Sequence, residues 1–309
     1  MGNFHMIKEA MLYKKFPGNI AHCYLCSHYC KIPDGKFGFC GVRQNCDGQL
    51  NTLVWGEVIA SHVDPIEKKP LYHFLPGSYT YSIATIGCNF RCGFCQNWQI
   101  SQETKNVGAG PCACPSQGDH RGLPLHMNTD DIVEEAKKNN CKSVSYTYTE
   151  PTIFFEYAYD TAKLVKAAGL KNIFVTNGYM TLEAIKTIKP YLDAANIDLK
   201  FFKDSSYRDN CKGKLKPVLD SIVLMHELKI WVEITTLVIP GLNDSEEELT
   251  GMAKFIASID KGIPWHVSAF HPDYKFTDYP LTSVKTLQNA QRIGYGAGLK
   301  FVHLGNVMI

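Results

Sequence analysis

The 309-residue sequence lacks a charge of one dominant sign and lacks any long apolar run. Its 32 basic and 30 acidic side chains leave a formal net charge of +2, so no electrostatic footprint for nucleic acid or an anionic membrane is present. No apolar stretch approaches the ~20 residues a spanning helix needs, so no membrane partner is expected. Internal repeats and low-complexity segments are missing as well. The opening Met1-Gly-Asn-Phe-His-Met-Ile-Lys-Glu-Ala has no basic start followed by an apolar stretch, so no secretory signal is read and a cytoplasmic location is expected. Cysteine, by contrast, is plentiful, at 12 residues. Without an export signal, so many thiols argue for a reducing compartment and for metal ligation over disulfides.

The chain is long enough for one large core with a small appended module. Residues 1–79 hold five of the cysteines, many turn residues and little periodicity. They read as a cysteine-rich metal-binding module and cap. From residue 80 to 309, short apolar runs alternate with helical patterns. Strands are expected at Tyr81–Ile86, Ser143–Thr147, Asn172–Thr176, Ala194–Asp198, Ile230–Val238, Trp265–Phe270 and Lys300–Leu304. Helices are expected at Asp130–Lys138, Ile153–Ala168, Leu182–Ile188, Lys216–Glu227, Ser245–Ile259 and Ser283–Ala297, with Thr129 and Ser245 as N-caps. This rhythm predicts an α/β fold of parallel strands with right-handed crossovers, a partial or complete (β/α) barrel. Such barrels carry their chemistry at the C-terminal strand ends. Val107–Leu125, rich in Gly and Pro, breaks the rhythm and reads as an irregular excursion on that rim. It contains Cys112 and Cys114, incidental loop thiols or extra ligands.

Directly after the first expected strand stands Cys88-Asn-Phe-Arg-Cys92-Gly-Phe-Cys95. Three thiols in eight residues can wrap one face of a cubic [4Fe–4S] cluster, which normally takes four thiolates. The fourth iron would stay open, as a catalytic metal site keeps an open position. A zinc knuckle or three unrelated buried cysteines would carry the same spacing. A second set, Cys23-x2-Cys26-x3-Cys30-x9-Cys40, offers four thiols. These would saturate either tetrahedral zinc or a second cluster, with Cys46 as a substitute ligand. Either metal would brace a module too small to bury its own core. The charged and aromatic stretch Asp64–His73 reads as a cap over the barrel mouth, with Tyr72 and His73 contacting substrate, or else as a solvated linker.

C-x3-C-x2-C with an aromatic before the last Cys resembles the cluster loop of the radical S-adenosylmethionine (SAM) superfamily. The resemblance implies a partial (β/α)6-type radical SAM barrel. It also implies that SAM is bound by the open iron and cleaved reductively to methionine and a 5′-deoxyadenosyl radical. The ammonium of SAM needs acceptors: Glu150, backbone carbonyls of Tyr148 and Thr149, and Asp198. Its carboxylate needs donors: Lys200 and His271. Asp198 and Lys200, two apart on a strand, share a face and could equally form a plain rim salt bridge.

Pyruvate formate-lyase activating enzyme and its relatives offer a closer match. Gly87-Cys88 and Cys95-Gln-Asn97 look like its loop. Tyr148-Thr-Glu-Pro151 stands where that family has Gly-Gly-Glu-Pro, and Val175 stands where it has an acidic residue. Thr176-Asn177-Gly178, Asp198-Leu-Lys200, Val238-Ile-Pro-Gly241 and His271 match its motifs. Cys23-x2-Cys26, Gly38-Phe-Cys40-Gly-Val-Arg43, Asp64–Gly77 and Gly87–Ser101 further resemble the radical SAM member of the AmmeMemoRadiSam system. That similarity implies Memo-like partner proteins. It also implies a cysteine-bearing tail past Leu304-Gly-Asn-Val307, which this sequence, ending at Ile309, does not contain. The resemblance as a whole implies a low-potential electron donor of flavodoxin or ferredoxin type. The substrate would be a protein, as for a glycyl-radical activase, or a small molecule. A reading from another class is a non-catalytic zinc or iron–sulfur binding or electron-transfer module.

Overall fold

The computed structural model describes residues 7–102 and 124–307; Cys112 and Cys114 lie outside them. Seven short strands open the chain: β1 (Lys8–Glu9), β2 (Tyr13–Phe16), β3 (Ile20–Cys23), β4 (Lys31–Ile32), β5 (Arg43–Cys46), β6 (Gln49–Thr52) and β7 (Glu57–Val58). They form two small antiparallel sheets, β1-β6-β5 and β2-β3-β4, while β7 pairs with β10 (Leu125–His126). Strands of two to four residues cannot form a core of their own. They lean on the rest of the chain through Cys26, which bridges Met180, and through Thr181, whose N–H donates to Leu25 O at 3.2 Å.

The large sheet has eight strands. Seven are parallel: β9 (Tyr79–Ala84), β11 (Ser143–Tyr146), β12 (Lys171–Thr176), β13 (Ala194–Asp198), β14 (Trp231–Val238), β15 (Trp265–Ala269) and β16 (Val302–Gly305). The eighth, β8 (Ala60–Pro65), pairs antiparallel with β9 and forms one edge, with β16 at the other. An open parallel sheet of this kind is the partial barrel expected from the sequence, with a strand beyond a (β/α)6 unit. Between strands run α1 (Trp98–Ser101), α2 (Thr129–Lys138), α3 (Phe155–Ala167), α4 (Leu182–Ile188), α5 (Asp204–Cys211), α6 (Leu215–Glu227), α7 (Glu246–Ile259) and α8 (Val284–Gly296).

Two local readings are corrected. Thr129 is the first helical residue of α2; the cap is Asn128, whose N–H donates to Asp131 at 2.7 Å. Ser245 does cap α7, accepting from Glu248 N at 3.3 Å. The helix α5 was not expected, because Asp-Ser-Ser-Tyr-Arg-Asp-Asn-Cys buries only Tyr207 and Cys211 and so has almost no apolar stripe.

The strands sort their side chains by face. Tyr81, Ile83, Val144, Tyr146, Phe174, Ile197, Ile234 and Val267 belong to the apolar core. The alternate residues are small or polar: Thr80, Ser82, Ser145, Asn196, Glu233, Thr235, His266 and Ser268. A lumen lined this way is built to hold something polar instead of packing shut.

The segment after β8 closes the far end. β8 runs from the level of Ala84 down to Tyr79, so Pro65 sits at the start of β9. From there Ile66 and Leu71 pack against Ile173 and Ala194. Tyr72 N and His73 N donate to the two oxygens of the buried Glu233 at 3.0 and 2.9 Å. The expected cap over the barrel mouth is therefore a plug at the N-terminal ends of the strands. Sequence patterning showed the stiffness of this segment but not the downward direction of β8 that decides its place.

Candidate active site

Cys88, Cys92 and Cys95 follow β9 and line one wall of a cavity of about 420 Å³. Gly87 makes the turn into this loop at φ +102°; a Cβ there would lie 2.8 Å from Val42 and 3.3 Å from Cys40 O. Phe90 N donates to Cys88 Sγ at 3.3 Å, and Ser101 Oγ lies 3.1 Å from Cys95 Sγ. Burial first, then the Glu150 charge, pushes the Cys88 thiol well up. For Cys92 the upward push comes from a hydrogen bond with Cys211, then burial.

Among the described residues, no three thiol, imidazole or carboxylate groups converge closely enough to hold a single metal ion. Cys88, Cys92 and Cys95 line one wall of the cavity together, and three thiols so placed fit one face of a polynuclear cluster with a fourth position left open. This set faces a cavity with Asp198 and Lys200 on its wall, and an N–H already points at one sulfur.

Of the residues expected around SAM, Tyr148, Thr149, Glu150, Asn177, Asp198 and Lys200 all line this cavity. Their hydrogen bonds divide them into two kinds. Glu150 is 2% exposed and its carboxylate is already engaged. It accepts from Thr152 N at 3.1 Å, Thr152 Oγ1 at 2.5 Å, Thr176 Oγ1 at 2.7 Å and Asn177 N at 2.8 Å. Desolvation raises its pKa despite these donors. Asn177 passes the restraint on: its Nδ2 donates to Asn89 Oδ1 at 2.7 Å, inside the thiol loop. Glu150 thus ties the ends of β11 and β12 to that loop. Asp198 and Lys200 form the second kind. Lys200 Nζ meets Asp198 Oδ2 at 2.7 Å, with both side chains still partly open. Burial alone would lower the Lys200 pKa, but Asp198 and the nearby Cys92 and Cys211 thiols outweigh it and raise it.

The Gly-to-Tyr departure at 148 has a structural consequence. Tyr148 adopts φ +61°, a left-handed conformation that favours glycine. Its ring is held under Lys69 Nζ at 4.2 Å, its hydroxyl donates to Asp64, and its carbonyl accepts from Asn97 Nδ2 at 2.8 Å. Thr149 Oγ1 donates to Thr85 O at 2.7 Å. Asp64 also takes Lys68 and Lys69 at 2.8 and 2.7 Å. Lys68 and Lys69 line the cavity and were missed in the sequence, where they read as cap or linker charges. His271, expected to face SAM, is exposed and does not line the cavity; its Nδ1 lies 3.5 Å from Pro272 O.

The second thiol set is also brought together. Cys23, Cys26, Cys30 and Cys40 line one small cavity with Leu25 and Ile32, whereas Cys46, at the turn between β5 and β6, does not. Arg43 reaches in at 1% exposure, its Nη1 donating to Cys23 Sγ at 3.5 Å and Met11 O at 3.1 Å, its Nη2 paired with Glu156. Tyr72 and His73 lie beneath the main cavity. His73 Nε2 meets His303 Nε2 at 2.9 Å, and His266 Nε2 meets Glu233 at 2.7 Å.

The model of the "Radical SAM superfamily" matches residues 82–253. The uncharacterized Methanocaldococcus jannaschii protein MJ0808 is 41% identical over 302 residues, covering 97% of this chain and 86% of that protein. Pyruvate formate-lyase-activating enzyme from Clostridium pasteurianum is 22% identical over 222 residues, covering 67% of this chain and 84% of its own. Among solved structures, a radical SAM methyltransferase from Sphaerobacter thermophilus superposes with a TM-score of 0.55 at 14% identity, covering 76% of this chain and 68% of that one, a likeness of fold. The matched residues span more than half of the chain, from the strand that delivers the thiol triplet through the wall that faces it, and the chain belongs to the radical SAM superfamily of enzymes.

Proposed function

We propose that Cys88, Cys92 and Cys95 hold a [4Fe–4S] cluster whose open iron binds SAM. When bound, the cluster supplies the electron that cleaves SAM to methionine and a 5′-deoxyadenosyl radical, which abstracts hydrogen from the substrate. The observation that carries this reading is the facing of three thiols by Asp198 and Lys200 across one cavity. In it, Asp198 accepts from the ammonium of SAM, Lys200 pairs with the carboxylate, and Glu150 with Asn177 keeps the thiol loop in register. The polar lumen and the plug beneath it exclude bulk water from a reactive radical. Residues 80–309, with the edge strand β8 and the plug that follows it, form the catalytic barrel, and the segment before β8 is the module that buttresses it.

The substrate is a protein site or a small molecule. The similarity to pyruvate formate-lyase-activating enzyme speaks for a protein, and the AmmeMemoRadiSam resemblance of Asp64–Gly77 leaves room for either, with Memo-like proteins as partners. The reductant is a low-potential donor of flavodoxin or ferredoxin type. Anaerobically reconstituted, dithionite-reduced protein is expected to release 5′-deoxyadenosine from SAM. Release of none from protein with a full cluster would overturn the reading.

A further inference from the structure

The main cavity has a second end, away from the thiols. Lys68, Lys69 and Pro70 reach it from the plug. Asp64, which pairs with both lysines, stands opposite Thr80 near the start of β9, whereas Cys88 follows the end of that strand. Thr80 and Ala84 are roughly 13 Å apart along a strand. Tyr148 spans the two levels: its backbone follows β11 at the upper end, and its hydroxyl donates to Asp64. Asn196 holds the floor in place, its Nδ2 donating to Pro70 O at 2.8 Å while its Oδ1 accepts from Thr235 at 2.9 Å.

Three observations mark this end as built for a ligand. First, Lys69 is 1% exposed, yet its ammonium has one carboxylate partner, Asp64 Oδ2 at 2.7 Å. The Tyr148 ring covers a second side at 4.2 Å. An ammonium carries three N–H donors, so one is left toward the cavity that Lys69 lines. Second, two lysines on one carboxylate leave an excess positive charge that an anionic ligand would neutralise. Third, Tyr148 places its ring there from a left-handed backbone at φ +61°, and strained backbone of that kind gathers at functional sites. A structural staple has no need of the arrangement. Asp64, Lys68 and Lys69 lie at most five residues apart, so their pairing ties no distant element. An apolar pair would close the floor at lower cost. Burial lowers the Lys69 pKa to about 8, with Asp64 opposing the fall and Lys68 adding to it.

We propose that this end of the cavity is the substrate subsite, that the substrate is a small molecule carrying a carboxylate or phosphate group, and that Lys69 receives that group, with Lys68 supplying the added charge. The separation of the two ends supports a small molecule. An anion bound at the floor places the rest of the molecule between Lys69 and the SAM-binding end, where the chemistry occurs. A peptide loop laid across the mouth would have no use for a cation at the floor. The role as substrate subsite rests on the reading of Cys88, Cys92 and Cys95 as the SAM-cleaving set; the binding of an anion by Lys69 does not.

The test follows the Lys69 ε-methylene signal by NMR in the full chain, anaerobically reconstituted, unreduced and labelled at lysine Cε. Lys69→Arg keeps the charge and identifies the signal by its loss; should it fold poorly, the ring shift lost in Tyr148→Leu identifies the same signal. Inorganic phosphate or acetate is added, with sodium chloride at the same ionic strength as the reference. At least one of the two anions is expected to move the signal saturably. It should also raise the midpoint of the signal's pH titration above about 8, because an anion favours the protonated ammonium. A response to phosphate alone assigns a phosphate ester, and a response to acetate alone a carboxylate. Lys68→Gln is expected to weaken binding about threefold, as for an exposed charge, and Lys69→Gln to leave SAM affinity unchanged. No movement beyond that given by chloride, with either anion, would overturn the proposal. So would a loss of SAM affinity in folded Lys69→Gln, which would place Lys69 on SAM itself. Failure of SAM cleavage with the anion response intact would sink only the reading of the Cys88 set.

Discussion

The two thiol sets of this chain are built on opposite plans. Cys88, Cys92 and Cys95 stand at the end of a long parallel strand and open onto a cavity whose walls come from most of the barrel. Cys23 ends β3, and Cys26, Cys30 and Cys40 stand on the turns beside strands of two to four residues; all four line one small cavity with Arg43 and apolar side chains. Three ligands with an open face leave room for chemistry, while four with a closed face do not. The supports differ as well. If each set holds a metal, the first should sit on a scaffold that folds without it, and the second should supply part of the stability of its surroundings.

Removing one ligand from each set should separate these roles. The largest effect is expected for Cys92→Ala, which leaves two thiols on the open face: 5′-deoxyadenosine formation should fall to background while the thermal midpoint of the barrel barely moves. Full cleavage by this variant would show that the catalytic set has been misassigned. For Cys26→Ser the order reverses. The N-terminal module should become protease-sensitive and lose its metal, because metal binding supplies much of the folding free energy of a loop-rich segment. The Cys88 set should still load iron. A module that resists protease after loss of its metal would break the contrast.

Much of this contrast was legible beforehand. The strand bounds expected for β11, β12, β13 and β15 fall within a residue or so of those observed, because alternating apolar runs bounded by Gly, Pro and Asn leave little choice of element. The thiol loop and the Glu150, Asp198 and Lys200 positions could be read from motif spacing and strand ends. What stayed hidden depended on tertiary direction. The plug at Ile66–Phe74 needed the antiparallel course of β8, and the partner of Glu233 lies 160 residues away at His73. The left-handed backbone at Tyr148 is invisible in a sequence that places a bulky residue there. Glu150 looked like a free acceptor because nothing in Tyr-Thr-Glu-Pro reveals that four donors, two from Thr152 and two from the end of β12, already converge on it. His271 looked like a rim residue by motif alone, and its side chain lies outside the wall.

That difference between Glu150 and Asp198 gives the next test, on the cavity wall itself. Glu150→Gln replaces an acceptor oxygen with a donor amide where Thr152, Thr176 and Asn177 all donate. A mispaired buried group costs about 1–3 kcal/mol, so the thermal midpoint and the retention of iron at Cys88 should both drop. Asp198→Asn keeps the shape of an open side chain and removes its charge. It should leave the midpoint and iron content unchanged and weaken SAM binding by about tenfold, near 1.4 kcal/mol. Calorimetric SAM titration beside iron analysis distinguishes the two. Equal loss of SAM affinity with intact iron in both would mean that Glu150 contacts the ligand directly.

The smallest effect is expected at the plug, on the side of the barrel away from both thiol sets. The pKa of His303 is lowered by burial first and then by His266 and His73, whose Nε2 meets its own at 2.9 Å. In that contact one imidazole must donate and the other accept, so protonating both breaks it. Because folding lowers the pKa, the unfolded chain binds the proton more readily, near pH 6.5. The contribution of His303 is therefore complete above that pH and is lost as pH falls through it toward the lower folded value. The Glu233 pKa is also depressed: its burial is outweighed by His266 and by the His73 and Tyr72 N–H groups. Its contribution holds above the ordinary carboxylate range and is lost only in stronger acid, so between pH 7.5 and 5.5 the histidine pair dominates. Denaturant midpoints measured at those two values should fall on acidification for the wild type and fall less for His303→Phe, which keeps a ring against Tyr72 but cannot titrate. Identical slopes for the two proteins would show that the plug is held by Glu233 and by packing alone.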